Sequence, residues 1–206
     1  MTISSLATAG GTLALALSTF ASVRSANRAA RVAEQALLVG LRPLVVTSRM
    51  DDPEQKIGYA DSKWVKLPGG GGVAEVSDEA IYLAISLRNV GSGIAVLDGW
   101  QFAGGRPTAS DEPPPVEEFH RLSRDIYVPT GDIGFWQGTF RDPQSDEFQE
   151  AKAAIEQRGY VTVWLLYGDH EGGQRMISQF GMTPRGDEGW IVSVARHWYI
   201  DQAGPR

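Results

Sequence analysis

Three histidines, His120, His170 and His197, are the side chains in this 206-residue sequence best suited to move a proton or hold a metal at neutral pH. His170 follows Asp169, and a carboxylate beside an imidazole can orient it as a general base. That pair sits inside Gly168-Asp169-His170-Glu171-Gly172-Gly173, however, where Asp and Gly already satisfy the backbone needs of a turn. No two histidines have the close helical spacing of zinc ligands. Cysteine is absent, which removes thiol nucleophiles, disulfides, iron–sulfur clusters and thiolate zinc sites together.

Other motifs fail on spacing. Ser92 lies between glycines in V-G-S-G-I, which is not the G-x-S-x-G nucleophile elbow. Gly91 and Gly93 lack the third glycine and following helix of a dinucleotide site. Gly69 to Gly72 lacks the lysine and helix of a phosphate loop, so a flexible surface connection is expected. Acidic groups at Asp51-Asp52-Glu54, Asp111-Glu112 and Glu117-Glu118 do not follow a calcium loop and read as solvated faces. No catalytic, cofactor-binding or metal-ligating residue is therefore assigned. A hydrolase or small-molecule site built from His120, His170 or His197 with nearby carboxylates stays open as the alternative.

Charge narrows the partners. The net charge is −6, and the first 41 residues hold three arginines against one glutamate, so the acid is concentrated downstream. Nucleic-acid affinity comes largely from neutralising phosphates, and this chain offers no basic footprint for it. Of the six tryptophans, Trp100, Trp136, Trp164, Trp190 and Trp198 are expected in a core.

The elements that must position these residues change character along the chain. Met1 to Val23 carries no charge and, at 1.5 Å per residue, reaches about 35 Å, enough for a hydrocarbon core of about 30 Å. A transmembrane helix is expected at 1–23. A cleaved signal peptide and a membrane-surface or partner-docking helix are the competing readings, the former weakened by the missing basic n-region. Arg24, Arg28 and Arg31 follow directly, at the headgroups of such a bilayer, and the positive-inside rule then places the rest on the cytoplasmic side of the cell membrane as a single-pass protein. Residues 24–41 continue as a juxtamembrane helix rich in Ala, Leu, Arg, Glu and Gln.

From residue 42 the period becomes two. Strands are expected at Leu44 to Thr47, Trp64 to Leu67, Ile81 to Arg88, Ile94 to Phe102, Asp125 to Val128, Ile133 to Phe140, Val161 to Tyr167, Gln174 to Met182 and Trp190 to Ile200. Ile81, Leu83, Ile85 and Leu87 should share one buried face. The break at Asn89-Val90-Gly91-Ser92-Gly93 should be a turn joining two consecutive paired strands, with Gly91 or Gly93 at positive φ. Residues 145–158 form the one clear helix of this region, capped at Ser145 or Asp146 and ended by Gly159. The segment 103–119, rich in Pro, Gly and acid, reads as a solvent-exposed loop.

Many short strands with one inserted helix predict a mainly β domain over 42–206, an antiparallel two-sheet β-sandwich preceded by a long N-terminal helix. The strand ending in Leu-Arg-Asn-Val-Gly-Ser-Gly and the later Leu-Leu-Tyr-Gly-Asp-His-Glu-Gly-Gly hairpin resemble those of uncharacterised bacterial single-span membrane proteins. That resemblance implies an immunoglobulin-like sandwich behind a membrane helix, and no activity. The functional expectation is a membrane-anchored, non-catalytic module that binds a protein partner or scaffolds an assembly.

Overall fold

The structure, a computed structural model, describes residues 3–107, 112–186 and 189–201. Met1 and Thr2 of the expected span, Asp111 of the acidic loop, and the last five residues lie outside them. The chain divides into two compact units, 1–40 and 41–206.

The first unit is one helix, α1 (Ile3–Gly40). Its composition of Ala, Leu, Arg and Gln favours the helix throughout, and Leu15, Leu17, Phe20, Val23, Val32 and Leu37 are exposed on it. Among the described residues no helix is long and apolar enough to cross a membrane. This overturns the transmembrane helix expected at 1–23. The length was sufficient but the composition was not: Ser and Thr dilute the stretch, and Ser18 and Thr19 donate back to the Leu15 carbonyl at 2.9 and 2.8 Å.

The second unit is mainly β. Its strands are β1 (Val45–Thr47), β2 (Gln55–Gly58), β3 (Trp64–Leu67), β4 (Gly71–Val76), β5 (Ile81–Asn89), β6 (Ala95–Gly104), β7 (His120–Val128), β8 (Ile133–Phe140), β9 (Val161–Gly168), β10 (Met176–Arg185) and β11 (Gly189–Tyr199). Nine of them form a single antiparallel sheet; β2 and β3 form a separate hairpin. β8 takes one edge of β5, while β4 and then β1 follow each other along the opposite edge. From β4 the order continues β11, β10, β9, β6, β7. The sheet curls into a half-barrel, which replaces the expected immunoglobulin-like two-sheet sandwich. Alternation is identical in both architectures, because it reports which residues face inward and not which strand lies next door.

The inner face holds the main core, with Trp136, Tyr167, Phe180, Leu83 and Ile85 fully buried. Ile81, Leu83, Ile85 and Leu87 are buried together, as expected. Their neighbours Tyr82, Ala84 and Ser86 are buried too, because β5 has both faces covered. Ile57, Tyr59, Val65 and Leu67 of the β2–β3 hairpin pack over Val73, Tyr82 and Ala84 on its outer side. Trp64, the sixth tryptophan, is 59% exposed on that hairpin; Trp100, Trp136, Trp164 and Trp190 are core.

Two turn expectations change. Gly69, Gly70, Gly71 and Gly72 are all buried, so this is no flexible surface connection; a Cβ on Gly69 would lie 2.4 Å from the Arg49 carbonyl oxygen. β5 and β6 are not paired with each other: β5 pairs with β1, β4 and β8, and β6 with β7 and β9. Neither Gly91 nor Gly93 has positive φ; these residues are glycine because residues 41–44 run directly against them. The expected helix is present as α2 (Asp146–Glu156), with the Ser145 hydroxyl accepting from the Phe148 amide at 3.2 Å. Phe148, Ala151 and Ile155 turn its apolar stripe into the main core against β4, β5 and β6.

Candidate functional site

The half-barrel stops short of closure where β7 and β8 approach. These consecutive strands were expected to flank a tight turn, and Pro129-Thr130-Gly131-Asp132 does form one, with Gly131 at φ +76°. Yet no ladder joins them among the described residues. Asn89 takes the turn instead: its amide donates to the Asp132 carbonyl at 3.2 Å and its carbonyl accepts from Gly131 at 2.8 Å. The second cause lies on the other side of β7. Between the pairs Leu97↔Ile126 and Gly99↔Arg121, β6 spends one residue, Asp98, while β7 spends four, Leu122 to Asp125. That segment bows out of the ladder, as a large bulge does, and three of its residues, Leu122 to Arg124, line the gap beside β8.

A cavity of about 400 Å³ occupies the resulting seam. Its walls are consecutive residues from each strand, Arg121 to Arg124 on one side and Gln137 to Thr139 on the other. At Gly138, which has no side chain, the main chain itself faces the cavity. Tyr59, from the hairpin, forms part of the rim; its hydroxyl donates to the Leu83 carbonyl at 2.8 Å, and burial pushes its pKa up.

Beneath the open edges, aromatic rings pack across the seam. Trp100 lies 5.2 Å from Trp136 and 5.1 Å from Phe140, measured between ring centroids, and His120 lies 4.8 Å from Trp100. Edge-to-face and tilted contacts of this kind add to burial and resist sliding. Three buried polar atoms of residues at the seam make no hydrogen bond among the described residues: Gln137 Oε1, Trp136 Nε1 and His120 Nε2, the last within ion-pair distance of Glu147. An unpaired buried group of this type is costly, and functional sites are where such a cost persists.

The electrostatics of the seam oppose those of the whole chain. Arg121, Arg124 and Arg141 line it in a protein of net charge −6. Arg141 is held by Asp61 at 3.1 Å. The Tyr82 hydroxyl donates to the same carboxylate, and this bond, helped by the Lys63 amide and Arg141, holds the Asp61 pKa below the usual range. Arg121 and Arg124 have no ion pair or hydrogen-bond partner among the described residues. They are exposed, and their charge is unspent.

The histidines are not brought together. His120 begins β7 and lines the cavity, with Nε2 3.2 Å from Glu147 Oε1. His170 is exposed in the β9–β10 turn. Asp169 beside it is buried, and its Oδ1 accepts from the amides of Glu171 and Gly173 at 3.1 and 2.9 Å, so the turn reading of that dipeptide holds. His197 lies in the same inner row as His120, through Trp100, Leu165 and Ser178. Four strand steps separate the two, roughly 19 Å along the sheet. No group of three metal-ligating side chains occurs among the described residues.

His197 does have a hydroxyl partner that the sequence concealed. Ser178 Oγ lies 2.6 Å from His197 Nδ1 and 2.8 Å from the Tyr167 hydroxyl, which accepts from the Val45 amide at 3.2 Å. Ser178 is fully buried, so no substrate carbonyl reaches its oxygen; the chain acts as a polar tie across β9, β10, β11 and β1. Burial holds the His197 pKa below its ordinary value and pushes the Tyr167 phenol up to about 12. Because folded His197 resists protonation while the unfolded residue titrates near about 6.5, this contribution to stability is full above that pH and is lost as pH falls below it. Urea midpoints should therefore drop between pH 7.5 and 5.5, and His197→Gln should flatten that drop; an unchanged slope would refute the assignment.

Comparison of the chain with protein-family models, curated proteins and solved structures finds no match.

Proposed function

We propose that the β unit is a non-catalytic recognition module that binds an anionic partner in the seam between β7 and β8. The observation that carries this reading is the pair of unpartnered arginines, Arg121 and Arg124, on a preformed cavity of about 400 Å³ in an acidic chain. The size lies within the range of ordinary ligand pockets. The aromatic floor of Trp100 and His120 supplies contact area. Local positive potential on an acidic surface attracts one class of partner and repels most others, which is specificity more than raw affinity.

The test is a titration at low salt with citrate, inorganic phosphate and a glutamate-rich peptide, followed by tryptophan fluorescence. Saturable binding of at least one anion is expected, weakening as salt is raised. The double variant Arg121→Glu/Arg124→Glu should lower that affinity at least tenfold with little loss of stability, because both side chains are exposed. Absence of saturable binding, or equal binding by the variant, overturns the proposal.

A further inference from the structure

We infer that the partner is an acidic peptide that enters the seam as an extended strand, pairing its main chain with β7, β8 or both. This rests on the anionic reading of the seam above and goes beyond it, since a pocket for a small anion needs charged side chains but not two bare sheet edges. Here the edges are the walls. Among the described residues, Leu122 to Asp125 has left the β6 ladder and has no partner strand, and β8 is paired only on its β5 side.

An open edge is a standing template for another strand, and proteins ordinarily blunt it with a bulge, a charge or a covering element. The bulge and the arginines of β7 could be read as such protection against self-pairing. Protection, however, calls for one guarded edge facing solvent. In this protein β7 and β8 face each other across a cavity that both line, with no ladder between them among the described residues. That is the geometry of a sheet lacking one short strand.

The size agrees. From the rise per residue and the spacings between strands and between sheets, one strand residue occupies roughly 160 Å³. The cavity of about 400 Å³ therefore takes two to three residues, a short insertion and not a whole strand. Main-chain bonds to the edges would supply affinity, and alternate side chains would supply selectivity. The exposed cations beside the opening, Arg121 and Arg124, select acidic side chains.

The experiment compares four probes on the full chain: acetyl-pentaglutamate amide, the same peptide N-methylated at alternate residues, the corresponding pentalysine, and free glutamate. Affinity is read by tryptophan fluorescence and location by amide hydrogen exchange. Strand addition predicts that pentaglutamate binds and that pentalysine does not. It predicts that N-methylation weakens pentaglutamate at least tenfold, and that amides between Leu122 and Asp125 or between Gln137 and Thr139 gain protection. If the N-methylated peptide binds equally, or if free glutamate binds as tightly as the peptide, strand addition is overturned while the anionic seam stands. Binding with no change in exchange along β7 and β8 overturns it as well. If no acidic probe binds at all, both proposals fall.

Discussion

Asn89→Ala is expected to destabilise the β unit by about 3–5 kcal/mol, an effect in the extreme tail for a single substitution. Asn89 is fully buried at the end of β5. Its side-chain amide donates to the carbonyls of Gly93 and Val128 at 2.7 and 2.9 Å. Its side-chain oxygen accepts from the amides of Leu44 and Gly91 at 3.2 and 2.9 Å. One side chain thus serves four backbone groups on three segments: the approach to β1, the β5–β6 turn and the end of β7. Alanine leaves those groups without their partner where solvent reaches poorly, at about 1–3 kcal/mol for each that stays unsatisfied. Relaxation of the more exposed ones keeps the total below the simple product. Denaturant unfolding measures the loss, and a value under about 1 kcal/mol would show that the clamp is dispensable. Asn89→Asp is the informative partner variant. It keeps both accepting roles, loses both donating ones, and places a charge against two carbonyls, so it should be no better than alanine.

The same residue explains why the seam exists. Through its own main chain Asn89 holds Gly131 and Asp132, and through its side chain it holds Val128. The turn between β7 and β8 is therefore anchored to β5, which steers β8 onto β5 and away from β7. In the sequence, Asn89 reads only as a turn former in Asn-Val-Gly-Ser-Gly, which is correct for its neighbours and blind to its reach. Faces were legible throughout: Ile81, Leu83, Ile85 and Leu87, the all-buried Val161–Gly168 strand, and the stripe of α2 follow from periodicity alone. Neighbours were not. Whether β8 pairs back on β7 or across on β5 depends on contacts roughly forty to sixty residues apart, and alternation carries no trace of them. The site was hidden for a related reason. Arg121 and Arg124 sit in the polar run Arg-Leu-Ser-Arg-Asp, which weakens the strand pattern before Ile126. That weakening was the signal of a bulge, and it reads as nothing more than a late strand start. The glycine run failed differently: composition says loop, while tight backbone packing at Gly69 and pairing of Gly72 with Trp190 make it structure.

Gly93→Ala is expected to be the most damaging of the glycine substitutions in the turns, costing about 3 kcal/mol or more. Gly93 has an ordinary φ, so no strain arises from the left-handed region. The cost is steric. A Cβ there would lie 1.8 Å from the Leu41 carbonyl oxygen and 2.5 Å from its carbon, distances that no rotamer change relieves because the obstacle is main chain. Either residues 41–44 retreat, breaking the bonds from Ser92 and Gly93 to the Arg42 carbonyl at 3.0 and 3.3 Å, or the β5–β6 turn opens and Asn89 loses Gly93. Overpacking of this severity sits at or beyond the upper end of the usual 1–3 kcal/mol. Gly131→Ala is the contrast. Its φ is +76° with open space around the added carbon, so it pays only the left-handed penalty of about 1–2 kcal/mol. The two glycines would be ranked the other way if positive φ governed these turns. Thermal or urea unfolding of both variants decides it, and a Gly131→Ala loss exceeding that of Gly93→Ala would show that conformation, and not close approach, is what the β5–β6 turn demands of its glycine.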